Sequence, residues 1–208
     1  MKHPLSAVRA VALPRHAALL ALLPALAAAS ACLEVPRRPP PDAPAVRELS
    51  VSDGIELEMG CTPSGKELCF DALDNNCNGL IDEGCGLHSG LLQFTIAWPE
   101  RSADVDLLVS GPDGDVARRD QPTDSGLLKD RDCPGAEQEC RGQNVENVFL
   151  AEGPVRRGRY RVTVRLEDLG EATPPVRVRL SARIGQRHYS ALLSLQARDE
   201  QREIELAL

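Results

Sequence analysis

The chain has 208 residues, a formal net charge of −7 and only 3% aromatic residues. That length holds one domain of ordinary size with smaller pieces beside it, and the core has to be built from Val, Leu, Ile and Ala. An acidic chain without a basic stripe repels phosphate backbones, so nucleic acid is excluded as an expected partner, whereas divalent cations are attracted.

Residues 1–31 hold Lys2, Arg9 and Arg15 and no acid, so the remainder is more acidic still. Residues 17–29, AALLALLPALAAA, are apolar and lead into Ser30-Ala31-Cys32. A positive start, a short apolar run and small residues before a cut are the layout of a secretory signal peptide. The run is shorter than the roughly 20 residues a spanning helix needs, and Pro24 weakens it as a helix. Small residues followed at once by cysteine resemble the bacterial lipobox, although Ala29 stands where Leu is commonest. The resemblance implies that Cys32 becomes the first mature residue and that its lipid holds the protein to a membrane. Leu33, rather than Asp, follows it, which under enteric-type sorting implies the outer membrane of a cell envelope. A plain cut near Ala31 with an incidental Cys32 is the alternative. Residues 32–60 then read as a flexible tether, because EVPRRPPPDAPAV (34–46) is rich in Pro and poor in apolar side chains.

Seven cysteines is an odd number, which in an exported chain calls for a reason. A lipid on Cys32 leaves Cys61, Cys69, Cys77, Cys85, Cys133 and Cys140, which can pair completely in an oxidising compartment. Spacing suggests a Cys133–Cys140 bridge and two bridges among residues 61–85, whose pairing stays open. A four-cysteine zinc site is the competing use, but C-x7-C-x7-C-x7-C lacks the close pairs that such sites employ.

Residues 61–86 form a small acidic module. Within DALDNNCNGLIDE, Asp74, Asn76 and Asn78 stand at alternate positions before Gly79, the first half of an EF-hand-like calcium loop. The Leu80 carbonyl and Asp82 extend the ligand set, and Glu83 or Asp71 stands in for the acid that Cys85 displaces from the twelfth position. The same residues also favour a metal-free turn closed by disulfides. ELCFDALDNNCNGLIDEGCG resembles the repeat of MopE-type bacterial surface proteins, on the DN-x-C-x-G-x-x-DEG core. That likeness implies an exported, metal-associated module. Phe70 interrupts the pattern, and Asn76 and Asn78 replace acids. The family's name is linked to copper, but hard oxygens suit calcium, so calcium is the expected cofactor.

Residues 90–208 alternate between apolar and polar side chains. Phe94, Ile96 and Trp98 share a face, as do Val105, Leu107 and Val109. Tyr160, Val162, Val164 and Leu166 oppose a row of arginines, Val176, Val178, Leu180, Ala182 and Ile184 oppose another, and Ile204 and Leu206 alternate with glutamates. Seven or so half-buried strands and no convincing helix predict an all-β, antiparallel β-sandwich. The arginine rows read as a solvated face. Residues 110–144 read as a long acidic loop, and Asp104, Asp106, Asp113, Asp115, Asp130 and Asp132, in pairs at alternate positions, are a candidate second metal site. The elements DVDLLVSGPDGD, SGLLKDRDCPG, ENVFL and GRYRVTV are similar to YfaP-type domains and their pre-peptidase C-terminal relatives. That likeness implies an accessory sandwich that binds or connects without catalytic residues.

Beyond the leader only His88 and His188 remain, and G-x-S-x-G, H-E-x-x-H and a phosphate-cradling glycine loop are all missing. The expected role is thus a non-catalytic, calcium-stabilised binding or structural lipoprotein whose protein or glycan ligand the sequence does not name. Copper capture is the alternative, and an extracellular hydrolase comes last.

Overall fold

Alternating side chains bury one face of a strand and leave the other to water, and two such faces together make a core. The computed structural model of the chain describes residues 44–58, 61, 63, 65–133, 140 and 142–208; the leader and Cys32 lie outside them. The described residues form ten strands and no helix: β1 (Glu48–Val51), β2 (Ile55–Glu58), β3 (Leu92–Ala97), β4 (Asp104–Ser110), β5 (Leu127–Asp132), β6 (Val145–Leu150), β7 (Arg159–Asp168), β8 (Val176–Ile184), β9 (Arg187–Leu195) and β10 (Gln201–Ala207). They assemble as a four-stranded sheet, β1-β10-β7-β4, and a six-stranded sheet, β2-β9-β8-β3-β6-β5. Every pairing is antiparallel.

The core lies between the sheets. Tyr160, Val162, Val164 and Leu166 from β7 meet Val178, Leu180 and Ile184 from β8, with Phe94 and Ile96 from β3, all buried. Each such side chain contributes roughly 1.5–3 kcal/mol when fully buried. The β7 arginines face water as read: Arg159 Nη1 lies 2.6 Å from Glu205 Oε1, and Arg161 Nε lies 3.3 Å from Glu203 Oε1. These pairs are largely exposed, so they add solubility more than stability.

Three features depart from the sequence expectation. β1 and β2 fall within residues 32–60, read as tether, and add an edge strand to each sheet. β5 falls within the stretch read as a loop and pairs with β6, so residues 90–208 hold eight strands, β3 to β10. The third is burial on both faces. β3 and β6 are buried at every position: on the outer face of their sheet Ile81 of the module lies against Gln93, and His88 lies against Asn147 and Phe149. There Gln93, Thr95, Asn147 and Ser181 form a polar plate with no exposure to water. Gln93 Nε2 donates to Asn147 Oδ1 at 3.1 Å and to the Ile81 carbonyl at 3.3 Å. Thr95 Oγ1 donates to Asn147 Oδ1 at 2.7 Å, and Ser181 Oγ donates to the Ala72 carbonyl. Buried polar groups are mostly hydrogen-bonded, and although Gln93 Oε1 accepts no bond from a described residue, the bonds to the Ile81 and Ala72 carbonyls tie the module to the plate.

Candidate functional site

The described residues of the module contain neither strand nor helix, and disulfides hold it instead. Cys61 pairs with Cys77 and Cys69 with Cys85, at Cα separations of 5.6 and 5.4 Å, and Cys133 pairs with Cys140 as expected. The inner pairing is therefore first to third and second to fourth. It removes the thiolates that zinc needs.

Within this frame the loop acids divide into two groups. Asp74, 4% exposed, is engaged by the backbone: Oδ1 accepts from the Asn78 N–H at 3.0 Å and Oδ2 from the Gly79 N–H at 2.7 Å. Asp82 is fully buried and turned elsewhere. Its oxygens accept from the N–H groups of Phe70 at 2.6 Å, Asp71 at 3.3 Å and Ala72 at 3.1 Å. Phe70 and Ala72 take positive φ, 67° and 53°, a conformation that turns successive N–H groups into an anion-binding nest. Burial pushes the Asp82 carboxyl up to about 6, against the pull of these donors. The ninth-position ligand of the sequence reading is thus a structural acceptor.

Asn76, Asn78 and Glu83 do come together. The Asn76 and Asn78 amides both donate to Glu83 Oε1, the latter at 2.6 Å. Asn76 Oδ1 accepts from the Asn78 N–H at 3.0 Å and Asn78 Oδ1 from the Leu80 N–H at 2.8 Å, leaving a lone pair on each oxygen. Leu80 thus enters through its N–H. Glu83 Oε2 is buried and accepts no hydrogen bond from a described residue. Glu67, which the sequence did not single out, stands beside this group. Its oxygens accept from the Asn75 N–H at 3.0 Å and the Asp82 N–H at 3.1 Å, and burial, helped by the charge of Glu83, lifts it to about 7. Glu83 and Glu67 thus stand close together beside the amides of Asn76 and Asn78, whose nitrogens face Glu83 and whose oxygens face the backbone.

The second acidic candidate is only partly assembled. Oxygens of Asp106, Asp132 and Glu146 lie within 4.8 Å of one another, at the seam where edge strand β4 meets β5 and β6. Asp104 is lifted by burial and by the neighbouring Asp106, Glu167, Asp132 and Asp168. Asp130 is not part of the group. A bulge between Lys129 and Arg131 inserts an extra residue, so Asp130 and Asp132 fall on opposite faces instead of the same one. Asp130 Oδ1 accepts from Asn147 at 2.6 Å, and its Oδ2 accepts from the His88 N–H at 2.8 Å on the outer face. Asp113 closes a turn, accepting from the N–H groups of Asp115 at 3.2 Å and of Ser125, and Asp115 is exposed there. The six aspartates are therefore not one site.

Glu146 and Lys129, both missed in the sequence, dominate what is left. Lys129 Nζ lies 2.7 Å from Asp132 Oδ1 and 2.9 Å from Glu146 Oε2, and the Leu107 N–H, on the open edge of β4, donates to Glu146 Oε2 at 2.5 Å. Burial holds the Glu146 carboxyl well above its usual range. Burial acts on Asp132 in the same sense, but bonds from Glu146 and Lys129 outweigh it and keep Asp132 low. The Lys129 ammonium already stands between Asp132 and Glu146 and supplies one positive charge there, so the cluster reads as a seam between the sheets.

No family model, no curated protein and no solved structure matches the chain. The functional reading therefore rests on the residues themselves.

Proposed function

We propose that this protein is a lipid-anchored, non-catalytic binding or structural module of the cell envelope, whose residues 61–86 are stabilised by calcium. The observation that carries the calcium reading is the convergence of Asn76, Asn78 and Glu83, with a buried, unpartnered Glu83 oxygen beside Glu67. Calcium takes six to eight oxygen ligands, many of them carboxylate or amide oxygens, and the donor set here is of that kind. Glu83, Glu67, Asn76 and Asn78 would hold the ion, with Asp74 and Asp82 bracing the loop around it. Calcium would supply charge and cross-links, and no chemistry is asked of it.

Copper capture is the alternative, and it finds less support. The module's cysteines are in disulfides. The nearby His88 ring is stacked on Phe149 at 5.2 Å and held by Asp130 at 2.9 Å. His188, whose Nε2 lies 3.2 Å from Ser181 Oγ, sits against the polar plate, which favours a structural task over a hydrolytic one. The membrane address rests on the leader and Cys32, and the three disulfides fit an oxidising compartment outside the cytoplasm. The loop brings no surface that names its protein or glycan partner.

Thermal unfolding with calcium and with a chelator tests the reading. At a calcium concentration of 100 times Kd the folded state gains about 2.7 kcal/mol, so the midpoint should rise by several degrees and fall back on chelation. An unchanged midpoint at millimolar calcium would remove calcium from the proposal. Intact mass of the exported protein tests the address, with a diacylated Cys32 as the expected first residue.

A further inference from the structure

The loop that draws Asn76, Asn78 and Glu83 together also holds the chain's only Asn-Gly pair, Asn78-Gly79. Asparagine is thermolabile, because the nitrogen of the peptide that follows it can attack the side-chain Cγ. A side chain on the following residue obstructs that approach, and glycine has none. The other asparagines, Asn75, Asn76, Asn144 and Asn147, precede Asn, Cys, Val and Val. Of these, Asn75, Asn144 and Asn147 are also buried. Asn78 is exposed, so water reaches it. A Cβ built on Gly79 would meet only the Gln186 carbonyl, at 3.5 Å, which leaves the Gly79 peptide room to turn.

Hydrogen bonds arrange the reacting groups. Asn78 Oδ1 accepts from the Leu80 N–H at 2.8 Å, which folds the side chain back over the peptide that follows it. The same N–H faces the oxygen on which negative charge develops when Cγ is attacked, as a donor of an oxyanion hole does. The Gly79 N–H donates to Asp74 Oδ2 at 2.7 Å, so a carboxylate stands where the attacking nitrogen gives up its proton. Asp74 is itself held in place, since its Oδ1 accepts from the Asn78 N–H at 3.0 Å. The leaving nitrogen, Asn78 Nδ2, points the other way and donates to Glu83 Oε1 at 2.6 Å.

We propose that Asn78 is a self-modification site, at which Gly79 N closes a succinimide ring on Asn78 Cγ and hydrolysis leaves aspartate or isoaspartate. In the first step the bond from Gly79 N to Cγ forms and the bond from Cγ to Nδ2 breaks. The proton released by Gly79 passes through Asp74 to the departing nitrogen, which leaves as ammonia. In the second step one water opens the ring at either carbonyl. Either product places a further carboxylate beside Glu83 and Glu67, where a neutral amide stood. The reaction needs no metal and does not depend on the calcium reading.

The test is peptide mass spectrometry of the full, oxidised chain aged at pH 8 with a chelator, with the same chain aged in urea as the reference. A gain of about 1 Da is expected on the peptide carrying Asn78, part of it as isoaspartate, with Asn75, Asn76, Asn144 and Asn147 unchanged. Asp74→Asn should slow the reaction by about tenfold or more. A loop that is merely loosened frees the Asn78 side chain and does not slow it, so slowing marks Asp74 as the group that takes the proton. Two results would overturn the proposal. One is an unmodified Asn78 in the folded chain when the urea-unfolded chain has reacted. The other is an Asp74→Asn protein, with its disulfides intact, that reacts as fast as the native chain.

Discussion

Replacing Lys129 by Met is expected to destabilise the fold by about 3–5 kcal/mol, the usual cost of breaking a buried ion pair and leaving its partners uncompensated. Lys129 holds Asp132 and Glu146 at 2.7 and 2.9 Å in a seam where Glu146 is 1% exposed. The pH dependence gives this prediction a second signature. In the native protein Glu146 is raised above its ordinary value of 4.5, with burial as the cause. A carboxyl raised by folding binds its proton more tightly in the folded state, so its contribution to stability falls as pH climbs past the unfolded value. Asp132, lowered by its bonds, contributes stability above its ordinary value of 3.8 and loses it on acidification. Burial opposes the Lys129 charge, but its acidic neighbours raise the pKa on balance. Its stabilisation is therefore complete through neutral pH and lost only well into the alkaline range. Lys129→Met removes what restrains Glu146 and what lowers Asp132. Its deficit should be larger at pH 8 than at pH 4.5, as read by urea unfolding. An equal deficit at both pH values would mean that the ion pair contributes nothing beyond packing.

Replacing Cys69 and Cys85 together by Ser should cost about 2–4 kcal/mol in the same measurement, as expected for loops of this length. The bridged residues are 16 apart, and the module offers little else to hold it: Ala72 and Ile81 are its fully buried aliphatic side chains. Loosening the module uncovers Gln93, Thr95, Asn147 and Ser181 and deprives them of the Ile81 and Ala72 carbonyls. The sandwich should keep its β circular dichroism while proteases begin to cut within residues 61–86. A double variant as stable and as protease-resistant as the native chain would show that the polar plate alone seats the module.

What the sequence reveals follows how strictly each strand is half-buried. β7 and β10 alternate because one face is core and the other is turned to solvent, and a period of two reports that directly; β8 alternates too, although Ser181 on its outer face is covered by the module. β3 also alternates, but its polar face is buried, and Gln93 and Thr95 give no hint that a distant disulfide module covers them. The segment ELSVSDGIELE, residues 48–58, does alternate around an Asp-Gly turn, a hairpin-like signal obscured by the prolines before it. Its two halves join different sheets instead of each other. β5 is hidden by its bulge and by Lys129 and Asp132, which face inward although charge ordinarily marks an outer face. Glu146 is lost for the same reason. In the loop of residues 74–83, residue spacing singles out Asn76, Asn78 and Glu83, which the structure brings together. Spacing reads Asp82 as a ninth-position ligand because it carries no account of the backbone nest formed by Phe70 and Ala72. Glu67 precedes the motif and is brought in only by the Cys69–Cys85 closure.

Calorimetric titration of the full chain with calcium, zinc and copper, after chelation and with Glu83→Gln as the comparison, bears most directly on the central claim. One calcium per chain should bind, with zinc and copper weaker, and Glu83→Gln should lose at least tenfold in calcium affinity while its disulfides and β circular dichroism persist. Heat from copper alone, or calcium binding that Glu83→Gln leaves untouched, would contradict a calcium centre built on Asn76, Asn78 and Glu83.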